Sequence, residues 1–511
     1  MKHWLHQILL PVFLLTLYNG NTQEHDYGWI IGYNSESAPG YEGMILDFNN
    51  SPMQVKDYAI NANLFISSAC IADEDGNPLF YTNGCSVFTS TGAVMENGDS
   101  LNFGAVYEEH CEGVRFSYTA GRQSSLILPM PGSDSLYYLF HKRIIYQEEP
   151  VFDVITDRIL YSVVDMSANQ GLGRVVEKNV ALFEEPTVYG ELTAVKHANG
   201  EDWWIVNALD QSDEYVFFLF DSSGPYFSHT QVLGDSSSFA GSGGGQANFS
   251  PDGRYYARYS ADGLFLMEFD RQAGVLNAFQ HIPIPDVNAL GGVAFSPNSE
   301  LCYVSAFDTI MQFDLMAPDI EASGTVVAVY DGFIDLFAIT FGNLQLGPDC
   351  KIYCNVFATV PYLHVIHQPN QRGTACQVEQ RGVILPYRNY SMLPHFPNYR
   401  LGPLIPGEAP PPPCETVVST PTVPPQAGAG FSLYPNPSSG LTTVEFSTPL
   451  SGRANVTLYS LQGQPVLQQT AGEGAQHVLL ETVTLPSGTY FCRVTGVDGS
   501  TGVKKLVITG R

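Results

Sequence analysis

Apolar residues in this chain gather in short runs, and Gly, Pro, Asn and Asp punctuate the gaps between them. The stretch Gln246–Leu276, QANFSPDGRYYARYSADGLFLMEFDRQAGVL, shows the pattern most clearly. Ala247–Ser250 is short and apolar, Tyr255–Ser260 is rich in aromatics, and Leu264–Asp270 is the next run. Such runs suit a pleated, buried strand. Between them lie Pro251-Asp252-Gly253 and Ala261-Asp262-Gly263. Proline presets φ there and glycine accepts φ > 0, so both segments predict tight turns. The layout recurs at Val293–Leu315, with Ser-Pro-Asn-Ser in the turn, and at Leu344–Ile366, with Gly-Pro-Asp-Cys. The turn prolines are Pro251, Pro297 and Pro348, steps of 46 and 51 residues. A four-stranded antiparallel unit repeating every ~40–50 residues is the pattern of a β-propeller blade. One unit cannot cover both faces of its own sheet, so units must stack around an axis.

The same reading extends upstream. Tyr27–Tyr58, Phe65–Met95, Ser124–Met166 and Leu192–Leu233 are four further blade-like stretches. Seven units over residues 24–405 give about 54 residues per blade, which predicts extended loops on the rims. No helical apolar period of useful length interrupts them. Leu393–Leu401, LPHFPNYRL, is placed to close the ring against the N-terminal strand, removing free sheet edges. From Pro403 to Gly430 the chain turns proline-rich, with little to bury, and reads as a semi-rigid spacer with Cys414 exposed in it. Phe431–Arg511 alternates short strands with Gly/Pro/Ser turns and reads as a small β-sandwich. The predicted fold class is therefore all-β: a seven-bladed propeller at 23–405, a Pro-rich linker at 406–430, and a sandwich at 431–511.

Charge and leader narrow the function classes. The net charge is −28 with only 14% charged residues. An acidic chain without a basic cluster repels nucleic acid and anionic membranes. Residues 1–22 begin with Lys2, continue with the apolar run Ile8–Leu17 and end with small residues. This predicts a secretory signal peptide, cleaved before Gln23. No later run is long enough for a transmembrane helix. Nine cysteines in an exported chain permit disulfides, and the odd count leaves one over.

Candidate chemistry is sparse. Cys350 and Cys354 have the spacing of a metal pair but straddle a turn and a strand, and a turn residue plus a buried strand residue is the preferred reading. Asp73, Glu74, Asp75 and Asn77 suggest a calcium loop, yet lack the EF-hand register; an acidic hairpin turn is preferred. Gly241–Gly245 is glycine-rich but leads into a strand, whereas a phosphate cradle needs a following helix. His197 is read as a structural hydrogen-bonding residue beside a hairpin rather than an axial ligand. Asp165, Asp270 and Asp314 follow apolar strands at similar places and are read as turn caps. Trp29, Trp203 and Trp204 are candidate sugar-stacking platforms. Trp203 and Trp204 are adjacent on a strand and so face opposite ways, and packing is preferred for both. There is no G-x-S-x-G elbow and no H-E-x-x-H.

Two resemblances add to this. Tyr434-Pro435-Asn436-Pro437 followed by Gly440, Val456–Gln464, Leu485–Val494 with Gly488 and Tyr490, and Lys504-Lys505 ahead of Leu506–Ile508 resemble the type A sorting domain of the Bacteroidota type IX secretion system. The resemblance covers residues 431–511. It implies passage through the periplasm and outer membrane by the type IX machinery, removal of this domain, and surface attachment or release. Tyr434, Pro435, Asn436, Pro437, Gly440, Gly488, Tyr490, Lys504 and Lys505 are then the sorting-signal residues. Residues 27–405 resemble the WD40-like and lactonase-like propellers found in such secreted proteins, through Gly76–Gly84, Tyr161–Met166, Leu192–Val206, Phe295–Asn298 and Pro369–Cys376. A propeller places the fold and assigns no activity.

Three functions follow as expectations. The preferred one is a secreted or surface binding and adhesion protein whose propeller presents loops to a protein or glycan, without catalytic, cofactor or metal residues. The second is a metal-dependent, lactonase-like hydrolase using the channel, with calcium as the ion to consider. The third is a structural surface component.

Overall fold

The computed structural model describes residues 23–112, 117–147, 153–234, 245–285, 290–407, 410, 413–414, 431–460, 465–496 and 501–509. Residues 1–22, read above as a signal peptide, Gly241 to residue 244 of the glycine-rich loop and most of the Pro-rich linker lie outside them. The chain divides into two compact units, residues 1–417 and 418–511.

In the first unit seven antiparallel sheets of three or four strands follow one another along the chain, as a seven-bladed propeller requires, and a two-stranded ribbon, Ile334–Asp335 with Phe337–Ala338, stands between the sixth and seventh. Blade five is Gln246–Phe249, Tyr255–Ser260, Gly263–Asp270 and Val275–Ile282. Blades three, four, six and seven also have four strands, and blades one and two have three regular ones. Blade three reaches beyond its sequence boundary. Its strands Leu136–Gln147 and Asp153–Asp165 are long, and a fourth, Arg174–Phe183, completes it. Among the described residues, helix is limited to Ala105–His110 and three short 3-10 turns.

The repeated turns share one hydrogen-bond pattern. In blade five Ser250 Oγ donates to Asp252 Oδ1 at 2.6 Å, and the backbone N–H of Arg254 and of Tyr255 donate back to these two side chains. In blade six Ser296 and Asn298 do the same for Glu300 and Leu301. These side chains take over the backbone donors that a tight turn leaves unpaired. Gly253 closes the blade-five turn at φ +73°, and a Cβ there would fall 2.6 Å from the Arg271 side chain.

Burial grades with distance from the axis. The second strands Trp203–Ala208 and Leu301–Ala306 are buried at every position, because a neighbouring blade covers each face. The outer strands Gly224–Val232 and Thr325–Val329 are mostly exposed. Consecutive blades meet through aromatic and aliphatic side chains. Tyr138 lies 4.7 Å from Phe220 between blades three and four. Trp204, Val206 and Phe217 pack on Ala247, Tyr256 and Met267 between four and five. The ring closes where Trp29 of blade one meets Tyr353 of blade seven edge-on at 5.5 Å.

Residues 391–401 follow a different course from a paired closing strand. They form no backbone ladder and run along the axis instead. His395 lies near the start of the inner strands, between Gln123 at 2.8 Å and Thr193 at 3.0 Å. Asn398 donates to Pro251 O in the turn beyond the far end of an inner strand. Met392, Phe396, Tyr399 and Leu401 are buried along the way. Phe396 stands 5.9 Å from Trp29, on the open side of the three-stranded first blade. Closure against the N-terminal strand is thus by side-chain packing.

Two disulfides bracket the ring: Cys85–Cys111 and Cys350–Cys414. Cys414 is buried and bonded, which corrects the expectation of an exposed cysteine in the spacer. The remaining cysteines, Cys70, Cys302, Cys354, Cys376 and Cys492, are buried free thiols.

The second unit is a sandwich. Phe431–Tyr434, Leu441–Phe446 and His477–Glu481 form one sheet; Pro465–Ala471, Ala454–Tyr459, Gly488–Gly496 and Thr501–Ile508 form the other. Its strands alternate, as in Leu441–Phe446, because only one face of each sheet meets the core. Val444, Val456, Leu458, Leu480, Cys492 and Leu506 fill that core.

Candidate functional site

The axis of the propeller is held by side-chain amides. The inner strands converge there but stand too far apart to pair directly. Gln123 bridges blades three and five by bonding both backbone groups of Ala247, each at 2.8 Å. Gln246 bonds the backbone of Val293 and Leu344 in blades six and seven. An amide carries a donor and an acceptor, so one glutamine satisfies an N–H and a C=O that would otherwise be orphaned. His395 sits inside this network. Burial pushes its imidazole down to about 3, so it is neutral at neutral pH.

A buried charge pair supports the same end. Arg258 donates to Glu191, both almost completely buried. Beside it, Lys142 Nζ donates to the carbonyls of Val188 and Gly190 and to Asn207 Oδ1. Burial pulls its pKa to about 7. Both groups spend their hydrogen-bonding capacity within the protein, which marks them as structural.

Beside the axial segment, a cavity of about 60 Å³ lies between Phe396, Asn398 and Arg400 and the inner strands of blades five to seven. Two further openings, one at each end of the inner strands, differ in character. Where the inner strands begin, a cavity of about 20 Å³ lies between Ser68, Arg122, Asn343 and the start of the axial segment. Phe357 and Phe307, stacked with centroids 6.5 Å apart, and Tyr390 stand near it. On the rim of hairpin turns, a cavity of about 250 Å³ opens between His25, Tyr137 and Lys196, with Glu74, Asp134 and Glu201 around it. Lys196 Nζ lies 4.0 Å from the Trp203 ring and donates to Glu201 O, and burial lowers its pKa to about 7.

The residues singled out from the sequence fall as follows. Asp165, Asp270 and Asp314 each accept a backbone N–H two residues on, from Ser167, Gln272 and Met316. They cap turns. Asp73 Oδ1 accepts from the N–H of Asp75 and Asn77, so the acidic stretch is a hairpin turn. His197 accepts from Asn199 N in its own turn, away from the axis. Trp29, Trp203 and Trp204 are core residues. Trp203 faces blade three and the axial Tyr399, and Trp204 faces blade five. None of the three is exposed for sugar stacking. Cys350 is in the disulfide and Cys354 is buried in a strand. Among the described residues, no group of three or more His, Cys, Asp or Glu converges as a metal set. Arg122 and the axial glutamines have no sequence signature; only the convergence of the inner strands brings them together.

In the sandwich two distant pieces of the sequence-predicted sorting signal meet. Asn436 Nδ2 donates to Lys505 O at 2.8 Å, and its Oδ1 accepts from Val507 N at 2.9 Å. The peptides preceding Pro435 and Pro437 are cis. Gly440 O accepts from Thr482 N, joining the loop to the other end of its sheet. Tyr490 OH donates to Pro486 O, and Gly488 pairs with Ile508. Lys504 and Lys505 are exposed, Lys504 Nζ lying 5.8 Å from the Phe431 ring.

Comparison with known proteins agrees with this placement. Residues 432–509 match the secretion system C-terminal sorting domain. The chain is therefore exported by the type IX route to the cell surface or the medium. No curated protein matches the chain. Among solved structures, it is similar to a functionally unknown protein from Desulfotomaculum acetoxidans, at 12% identity over 72% of this chain and 99% of that one, TM-score 0.38. A putative 6-phosphogluconolactonase from Bacteroides uniformis is similar at 10% identity over 89% and 99%, TM-score 0.34. Apo AztD from Citrobacter koseri is similar at 13% identity over 89% and 98%, TM-score 0.31. Among the described residues, no helix is long and apolar enough to cross a membrane.

Proposed function

We propose that the propeller is a binding module, carried to the outer surface by its C-terminal sorting domain, which presents its rims to a protein or glycan ligand. One observation carries the reading: the chain's own mostly buried residues from Met392 to Leu401 occupy the axis and leave beside them cavities of only about 60 Å³ and 20 Å³. A channel enzyme needs reacting groups gathered around an open axis. Along the axis Gln123, Gln246 and His395 bond one another or the backbone. What remains for contact is the two rims and their loops. The cleavable signal peptide at residues 1–22 and the sorting-signal roles of Tyr434, Pro435, Asn436, Pro437, Gly440, Gly488, Tyr490, Lys504 and Lys505 belong to the same proposal. The test is a glycan and protein binding array beside a hydrolase and lactonase screen, with and without added calcium. Saturable binding without turnover is the expected result. Calcium-dependent turnover would overturn the reading in favour of the hydrolase.

A further inference from the structure

The mouth of the axis holds a guanidinium without a counter-charge. Arg122 precedes the inner strand Ser125–Pro129 of blade three, and its guanidinium lies 4.4 Å from the centre of the Phe357 ring. Among the described residues it has no carboxylate or hydrogen-bond acceptor, and its Nε is buried without a partner. The other described arginines of the first unit are all held. Arg143 pairs with Asp157, Arg258 with Glu191, Arg381 with Asp331 and Arg400 with Asp26. Arg158, Arg174, Arg254, Arg372 and Arg388 also have carboxylate partners. Arg271 is held by the carbonyls of Lys196, His197 and Gly402. In a chain of net charge −28, an arginine left with neither a carboxylate nor a carbonyl acceptor is a departure from the rule of this fold.

Arg122 is half-buried, but its Nε is fully buried, and a buried donor on a cation without an acceptor is costly. Two further orphans line the same cavity: Ser68 Oγ, a hydroxyl with a hydrogen to give, and Asn343 Oδ1, an acceptor. No carboxylate lines it. Stacking on Phe357 covers one face of the guanidinium and leaves its in-plane N–H groups, the ones that match a planar carboxylate. Burial lowers the Arg122 pKa to about 10, so the side chain stays cationic at neutral pH. A cavity of about 20 Å³ admits one oxygen-sized group, so the remainder of a ligand would lie outside it, on the side where Phe357 flanks Arg122.

We propose that this mouth binds a small hydroxycarboxylate, its carboxylate on Arg122 and Ser68 and its hydroxyl donating to Asn343 Oδ1. A sugar acid and a simple hydroxy acid are two sources of that chemistry. The proposal rests on the binding reading above and names the ligand class for one rim.

The experiment uses the full chain at fixed ionic strength. Thermal unfolding and calorimetric titration are run with glycolate, D-glucuronate, D-glucose and sodium chloride. The acids should raise the melting temperature saturably, and glucose and chloride should not. A response to D-glucuronate alone selects the sugar acid, and an equal response to glycolate selects the simple acid. Arg122→Met should weaken acid binding by about tenfold or more, the loss of one charge-assisted contact. Its ligand-free melting temperature should be unchanged or higher, because the substitution removes an unpaired charge. Asn343→Asp should weaken binding similarly by placing a like charge in the cavity. Acids that bind Arg122→Met as well as wild type, or a shift that sodium chloride alone reproduces, would refute the site. Binding of a neutral glycan or a protein that Arg122→Met leaves unchanged would refute it too, while keeping the binding reading. A fall of several degrees in ligand-free Arg122→Met, with no acid response in wild type, makes the arginine structural.

Discussion

Asn436 and Val507 are 71 residues apart in sequence and joined by a hydrogen bond of 2.9 Å, from the Val507 N–H to Asn436 Oδ1. The same amide donates to Lys505 O. One side chain thus completes the edge of the final strand on both sides of Leu506, whose side chain is in the sandwich core. Asn436→Ala should destabilise the sandwich by about 1–2 kcal/mol, the worth of two hydrogen bonds of which one leaves a donor unpaired. It should also leave protein in the periplasm. Cell fractionation checks this; unchanged surface yield would remove Asn436 from the sorting signal.

Processing should be visible by mass. Protein recovered from the cell surface or the medium should lack residues 1–22 and 431–511. Intact-mass measurement decides the point. Recovery of most molecules with the sandwich still attached would count against its removal. Replacing both Lys504 and Lys505, exposed on the last strand, should cause periplasmic retention without unfolding the domain.

The Cys350–Cys414 disulfide ties the Pro-rich stretch that follows the axial segment to the first turn of blade seven. It spans 64 residues, for which chain entropy gives about 4 kcal/mol of stabilisation. Cys414→Ser should lower the melting temperature of the propeller and leave Cys350 reactive. Thiol titration of the unreduced, unfolded wild type should find five free thiols, those of Cys70, Cys302, Cys354, Cys376 and Cys492.

Stability should fall with acid in a window set by buried histidines. Burial lowers His141 and His395 to about 3 and His364 to about 4, from an ordinary value of 6.5. Below 6.5 the unfolded chain takes up protons that the folded one refuses, so folding weakens as pH drops. Above 6.5 neither state binds them and the effect vanishes. Each histidine contributes a slope approaching about 1.4 kcal/mol per pH unit. Urea unfolding at pH 7.5 and pH 5.0 measures it. His395→Gln should flatten the slope by one histidine's share, and an unchanged slope would exclude His395 as a source.

How far the fold was readable depends on how local its causes are. The Ser-Pro-Asp-Gly turn at 250–253 and the apolar runs around it are set by residues within reach of one another, so blade five reads directly. Blade three reads short, because Arg174–Phe183 pairs with a strand whose length the apolar runs do not mark. Blade one reads as complete, although its axial side is taken by residues from the far end of the propeller. Trp203 and Trp204 illustrate the limit at single residues. Alternation along a strand sends them to opposite faces, but only stacked blades make both faces interior.

The sequence by itself determined the all-β class, the repeat, the sorting domain and the turn-capping aspartates. Each rests on interactions between near neighbours: hydrophobic period, turn chemistry and side-chain-to-backbone bonds. Tertiary structure alone decided the filled axis, the Cys350–Cys414 pairing, the Asn436 clamp and the unpaired Arg122. Those depend on which strands converge when the ring closes, and convergence is a property of the closed ring rather than of any stretch of chain.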